Sequence, residues 1–229
     1  MTPPDTDTAR KADFVSDLHV GKPRLAWRRR RGDAIAAAVG LTVLLVGILI
    51  VRHGTVPGWE EGLFDAINDL PGWLYPLVWP IQQLGVLIVG PVVAIVAAIT
   101  RRFRLALAAL IATGAKLVLE PMVKDIVDRQ RPATSIGGDV ELRGDVPTHG
   151  ESFPSGHAAL VAALAAVVAP YLPPRWRALP WVLVAIVLFA RVYVGAHNPL
   201  DVICGAALGL AIGSFINLAL RVPASTRER

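Results

Sequence analysis

A single cysteine, Cys204, stands in 229 residues. That excludes an intrachain disulfide framework, a Cys-rich zinc site and an iron–sulfur cluster. Charge is scarce as well: 18% of residues are Asp, Glu, Lys or Arg, 54% are hydrophobic, and the mean hydropathy is +0.52. This composition excludes a disordered chain and is too apolar for an ordinary soluble enzyme. The length bounds the chain to one domain, two at most. No internal repeat and no low-complexity tract is visible. Residues 1–23 are polar with mixed charge and lack the pattern of a cleaved secretory signal.

What is present is a series of long apolar runs. A helix needs about 20 apolar residues to cross a bilayer core. Residues 34–51, 71–100 and 202–220 carry no charge, and 105–123 carries only Lys116 and Glu120. Residues 158–172 are apolar up to Pro173 and Pro174, and the short run 178–190 needs part of 191–196 to cross. The fold class expected is all-α, a bundle of six transmembrane helices. Residues 52–70 mix Glu60, Glu61, Asp65 and Asp69 with Leu63, Phe64 and Ile67, which predicts a short interfacial helix after the first span. The domain layout is then a polar cytoplasmic tail over 1–33, the membrane domain over 34–221 and a short cytoplasmic tail over 222–229.

The net charge of +5 is a topology signal. Arg28, Arg29, Arg30 and Arg31 precede the first span, and Arg101, Arg102 and Arg104 follow the second. Arg175 and Arg177 lie between spans four and five, and Arg221, Arg227 and Arg229 follow the sixth. Alternating spans place all four groups on one face, the cytoplasmic one by the positive-inside rule. Nucleic acid is not needed to explain these arginines.

The opposite face collects costly polar groups. Lys124 and Arg131, seven residues apart, share a face of a continuing helix and are followed by Pro132. Pro154-Ser155-Gly156-His157 opens the fourth span, with Ser155 at the N-cap and Gly156 letting a ligand approach the backbone. A helix start favours an anion. Arg191, His197 and Asp201 complete the set, His197 and Asp201 at a spacing that lets the carboxylate hold the imidazole. Three cations, a hydroxyl, a backbone amide, two histidines and a carboxylate make a phosphate cradle with acid–base or nucleophilic capacity.

The order Lys-x6-Arg-Pro, Pro-Ser-Gly-His, Arg-x5-His-x3-Asp resembles the type 2 phosphatidic acid phosphatase (PAP2) superfamily. The motifs cover residues 124–201, and the helix layout extends the likeness over most of the chain. One position departs: the third motif of the family usually begins Ser-Arg, and here it reads Ala190-Arg191, which removes one secondary phosphate contact. The resemblance implies that His197 is the nucleophile, forming a phosphohistidine, and that Asp201 orients its ring. It implies that His157 is the acid for the leaving oxygen, and that Lys124, Arg131, Ser155, Gly156 and Arg191 hold the phosphate. The cations supply the charge stabilisation, so no metal and no cofactor is expected.

Other residues have plainer readings. Lys116, Glu120 and Lys124 lie at i, i+4 and i+8, and a structural ion pair supporting Lys124 is favoured over a substrate role. His53 and His149 read as loop residues, Asp139, Glu141, Asp145 and Glu151 as a solvated loop, and Cys204 as a packed helix residue. Trp73, Trp79 and Trp176 fit interfacial belts.

The function expected is a membrane lipid phosphatase of the cell (plasma or inner) membrane, with both termini cytoplasmic and the site facing away from the cytoplasm. Its partners are the bilayer and a lipid phosphate or diphosphate entering from it; a homo-oligomer stays open. A polyprenyl diphosphate is the leading substrate. Phosphatidic acid, phosphatidylglycerol phosphate or a polyprenyl-sugar phosphate is the alternative. Two further classes are a phosphorylated-lipid transporter, disfavoured without an inverted repeat, and a vanadate-dependent haloperoxidase, which would be soluble.

Overall fold

Uncharged runs of Ala, Val and Leu in a low-dielectric setting close their backbone hydrogen bonds internally, and the helix does this within one segment. The computed structural model describes residues 27–223 and is mostly helical over them. Most of the two polar tails drawn from the sequence lies outside the described residues. The α-helices are α1 (Arg31–Val51), α2 (Gly58–Asn68), α3 (Tyr75–Gln82), α4 (Val89–Ile99), α5 (Phe103–Lys124), α6 (Pro132–Ser135), α7 (Gly156–Val168), α8 (Leu179–Tyr193) and α9 (Pro199–Leu220).

Helix α7 is the axis of the bundle, buried from Ala158 to Val167. It packs against α5, α8 and α9, and α9 also packs along α1. The closeness of α7 and α9 comes from Gly205, Gly209 and Gly213, spaced by four on one face of α9. A Cβ on Gly205 or Gly209 would collide with the backbone carbonyl of Ser155 or Ala159, and one on Gly213 would sit 2.5 Å from the Ala166 methyl. Without a hydrophobic driving force in lipid, such small-residue contact is what holds two spans together. The outer faces carry Ile35, Leu45, Leu49, Ile95, Ile99 and Val118, all exposed, as a lipid-facing shell requires.

Four helical segments are long and apolar enough to cross a membrane: Arg31–Val51, Phe103–Lys124, Pro174–Tyr193 and Pro199–Leu220. The segments Gly72–Gly85 and Val89–Ile99 make a fifth crossing if taken together, bent by 69°. Six spans were expected; the remaining apolar helix, Gly156–Tyr171, is shorter than these and enclosed by its neighbours. The bend in the second expected span falls after Gly85, and not at Pro76 or Pro80, which both sit inside α3. The cause is packing: Gly85 lies against His157, so close that a Cβ there would be 2.6 Å from the His157 Cβ.

Helix α2 forms where the sequence predicts a short amphipathic helix. Its inward face is Glu60, Phe64 and Asn68, all buried, while Trp59 and Leu63 are exposed. The inward side therefore carries a carboxylate and an amide as well as an apolar ring, and both polar groups find buried partners.

At the basic end, Trp27–Arg28 pairs antiparallel with Val222–Pro223. Arg29 Nε donates to the Leu218 carbonyl and Arg104 Nη1 to the Leu220 carbonyl, and Arg102 Nη1 reaches the Tyr171 carbonyl. These arginines thus cap helix C-termini in addition to making that end positive.

Candidate active site

The site lies at the other end, where α5 and α8 finish and α7 and α9 begin. The long connection from α5 to α7 is fastened over it. Arg143 donates to the carbonyls of Asn68, Leu70 and Tyr193 at 2.7–2.9 Å, and its guanidinium stacks 4.2 Å over the Tyr193 ring. The Asn68 side chain donates to the Glu141 carbonyl and accepts from the Glu141 N–H, both at 2.9 Å. Between α8 and α9 the chain turns at Gly195, φ +76°, where a Cβ would lie 2.8 Å from the Glu141 carbonyl oxygen. That turn swings His197 back under Arg191, whose carbonyl accepts the His197 N–H at 3.2 Å.

The result is a polar cavity of about 450 Å³. Lys124, Arg131, Gly156, His157, Arg191 and His197 all line it, so six of the eight residues expected from the sequence share one wall system. Asp201 sits behind His197 with no exposed surface, its Oδ2 3.8 Å from His197 Nδ1 and accepting the Asn198 N–H at 2.8 Å. That separation is beyond hydrogen-bond reach, and catalytic contacts of this kind tighten when substrate binds. Ser155 occupies the N-cap position of α7, yet it makes no side-chain cap; its N–H donates to the Asp201 carbonyl at 2.9 Å.

Several polar atoms are buried without a partner among the described residues: Ser155 Oγ, Arg131 Nε, Arg191 Nε and His197 Nδ1. Buried donors left unmade carry a desolvation penalty; those of Arg131 and Arg191 belong to side chains that line the cavity, a chemistry suited to an anion. Arg131 Nη1 is anchored on the Ala196 carbonyl at 2.9 Å and Arg191 Nη1 on Gln82 Oε1 at 3.1 Å, which fixes both forks. Burial lowers the Arg131 guanidinium, opposed by Asp201 and Glu120. Burial also pushes the His197 imidazole down to about 4; Asp201 opposes this, and the Arg191 and Arg131 charges add to it.

Two residues of weight were not among those expected. Arg129, fully buried, donates from Nη1 to Asp201 Oδ1 at 2.8 Å and from Nη2 to Glu60 Oε2 at 2.5 Å. Glu60 in turn accepts the Leu200 N–H at 2.8 Å. Burial would lower Arg129, and the two carboxylates more than offset it. A sequence signal existed, in a second arginine two residues before Arg131. The Glu60 partner, 69 positions away, left none. Glu120 bridges Lys116 at 2.5 Å and Lys124 at 3.0 Å, the ion pair the sequence suggested, and its carboxylate presses on Gly156 so that a Cβ there would meet it at 2.6 Å. Cys204 is buried, as expected.

The model of the PAP2 superfamily matches residues 101–222. This chain belongs to that superfamily. As a PAP2 protein it is 31% identical over 134 residues to the undecaprenyl-diphosphatase of Sulfolobus acidocaldarius, covering 57% of this chain and 62% of that one. It is 36% identical over 98 residues to the decaprenylphosphoryl-5-phosphoribose phosphatase of Mycobacterium tuberculosis, covering 42% and 50%. The matches thus span less than two thirds of either relative's length. Among solved structures, Aquifex aeolicus LpxE superposes with a TM-score of 0.62 at 27% identity, covering 68% of this chain and 93% of that one. The PAP2-type phosphatidylglycerolphosphate phosphatase of Bacillus subtilis superposes at 0.65 with 23% identity, covering 78% and 94%, and shares the fold. The apolar helices together with these membrane relatives mark a multi-pass membrane protein of the PAP2 fold.

Proposed function

We propose that this chain is an integral-membrane lipid phosphatase that hydrolyses a phosphate or diphosphate monoester of a lipid, foremost a polyprenyl diphosphate. The observation that carries the reading is the pair of arginines, Arg131 and Arg191, each with an unpartnered buried Nε, that line one cavity with His197, beside the buried unpartnered hydroxyl of Ser155. The name of the 31% identical relative, undecaprenyl-diphosphatase, supports the substrate class.

In this reading Lys124, Arg131, Arg191, the Ser155 hydroxyl and the Gly156 amide hold the non-bridging oxygens. Fixed cations and amides stabilise charge that spreads over the phosphoryl group in flight. His197 attacks phosphorus from Nε2 while Asp201 accepts a hydrogen bond from Nδ1–H and steadies the positive ring that forms. Burial keeps the imidazole unprotonated at neutral pH, as a nucleophile must be. Burial and the Arg191 charge push the His157 ring down as well, so it carries a proton once the substrate's phosphate charge offsets those cations; it then gives that proton to the leaving oxygen and takes one from the water that opens the phosphohistidine. Of the carboxylates near the cradle, Glu120 is committed to two lysines and Asp201 to Arg129, and Asp145 lines the part of the cavity that the long loop forms. The donor set therefore suits a metal-independent reaction. With the arginine-rich end cytoplasmic, the site opens on the extracytoplasmic side.

The test is phosphate release by purified protein in detergent. The panel holds a polyprenyl diphosphate, phosphatidic acid, phosphatidylglycerol phosphate and a polyprenyl-sugar phosphate, each with His197→Ala beside it. Release that depends on His197 is expected, greatest on the diphosphate. Equal release by the variant would overturn the nucleophile assignment, and no release from any substrate would favour transport without chemistry. The 36% identical relative's name favours the polyprenyl-sugar phosphate as the second reading.

A further inference from the structure

Two cations line the cavity outside the phosphate cradle: Arg143 is spent on backbone carbonyls, and Lys116 is left. It lies within α5, eight residues before Lys124, in a segment apolar enough to cross the membrane. A lone ion pair there is costly, and ionisable groups persist in such segments where they serve a pathway or a site. Glu120 alone would neutralise Lys124, to which it bonds at 3.0 Å. The triad of Lys116, Glu120 and Lys124 therefore holds one positive charge beyond what pairing requires.

The position of that charge is specific. The Lys116 ammonium reaches up its helix to Glu120 Oε2 at 2.5 Å, and the Glu120 carboxylate is pressed on Gly156, the residue before His157. Lys116 lines the same cavity as His157 and its charge acts on that imidazole. Arg191 and Arg131 act on both His157 and His197. The cavity thus has a cation pair shared by the two histidines and a further cation, Lys116, eight residues deeper into the span than Lys124, on the side from which a lipid tail leads. In a monophosphate ester the leaving oxygen is attached to carbon, and beyond it an ammonium meets no further charged oxygen. In a diphosphate that oxygen belongs to a second phosphate.

We propose that Lys116 forms the subsite for the lipid-proximal phosphate of a lipid diphosphate, and so selects diphosphates over monophosphates. The inference rests on the phosphatase reading above. On binding, Lys116 exchanges one contact to Glu120 for a phosphate oxygen, and Glu120 keeps Lys124. His197 Nε2 then bonds to the terminal phosphorus, and the bond from that phosphorus to the bridging oxygen breaks. The bridging oxygen leaves with the electron pair as part of the lipid monophosphate and takes the His157 proton, with Lys116 balancing its charge. Water next attacks the phosphohistidine, gives its proton to His157 and releases inorganic phosphate. Charge-assisted contacts of this kind are among the stronger hydrogen bonds.

The experiment compares a polyprenyl diphosphate and the monophosphate of the same tail, on wild-type protein, Lys116→Met and Lys116→Arg. The expected result is that Lys116→Met lowers kcat/KM at least about tenfold more for the diphosphate than for the monophosphate, and that Lys116→Arg restores most of the difference. Equal losses on both substrates, or no selective loss, would overturn the subsite and leave Lys116 as a structural partner of Glu120. Should Lys116→Met fail to fold, the double variant Lys116→Met with Glu120→Gln removes both charges together and gives the same comparison. Wild-type protein that hydrolyses neither substrate would instead overturn the phosphatase reading itself.

Discussion

Arg129 and Asp201 meet at 2.8 Å with no exposed surface on either side chain. The arginine comes from the turn after α5 and the aspartate from the first turn of α9, so one bond ties together the two segments that carry Arg131 and His197. Glu60 completes the line from α2 by accepting both Arg129 and the Leu200 amide. Asp201 is thereby held from both oxygens, by Arg129 on one and the Asn198 amide on the other.

Breaking that line is expected to act on fold and site together. Arg129→Met leaves two carboxylates buried without their cation, and removing one partner of such a pair costs about 3–5 kcal/mol. Arg129→Lys keeps the charge and loses the fork that spans Glu60 and Asp201. It is expected to fold and to lower kcat roughly tenfold or more with little change in KM, since it loosens an orienting group rather than a phosphate contact. Thermal unfolding in detergent beside steady-state kinetics checks this; a full-activity lysine variant would remove Arg129 from the positioning of Asp201.

The acid limb of activity should lie low. His197 is held at about 4 against an ordinary 6.5, so its ring stays neutral and nucleophilic throughout that interval. The kcat/KM profile, corrected for titration of the substrate phosphate, is expected to hold down to about pH 5 and to fall only near 4. The same shift bears on stability. Between 6.5 and 4 the unfolded chain binds a proton that folded His197 does not, so stability decreases as pH drops through that window. A nucleophile-linked limb near 6.5 would contradict the burial argument.

Chelation should matter little. The cradle's positive charge comes from Lys124, Arg131 and Arg191, and Glu120 and Asp201 are bound to basic side chains. Activity measured after exhaustive EDTA treatment is expected to stay within about twofold of the untreated protein. Loss of activity that a divalent ion restores would mean that the acidic residues of the long loop serve a metal.

The membrane orientation has its own check. A cysteine in place of exposed His149, in a Cys204→Ala background, is expected to react with an impermeant thiol reagent on intact cells. Labelling only after lysis would put the cavity on the cytoplasmic side and the arginine-rich end outside.

The residues of the proposed phosphate cradle could be picked out in the sequence because each of the three motifs is local. Lys124 and Arg131 are seven apart, Ser155, Gly156 and His157 are contiguous, and Arg191, His197 and Asp201 fall within one helix end and the next helix start. The alternation of apolar runs then puts all three at one end. The count of crossings was less legible. Hydropathy treats 71–100 as one straight run, whereas packing of Gly85 on His157 bends it, and α7 is short because it is shielded by helices instead of lipid.

The sequence by itself determined the helical class, the basic end, the family motifs and the inventory of cations, since these depend on composition and short spacing. The tertiary structure alone decided that Glu60 and Arg129 buttress Asp201, that Arg143 fastens the loop, and that Lys116 lines the same cavity as the two histidines. Arg129 lies 69 residues from Glu60 and 72 from Asp201 in the chain. No local periodicity records such a meeting; it follows from how closely glycine-lined helices pack and where that packing brings their ends.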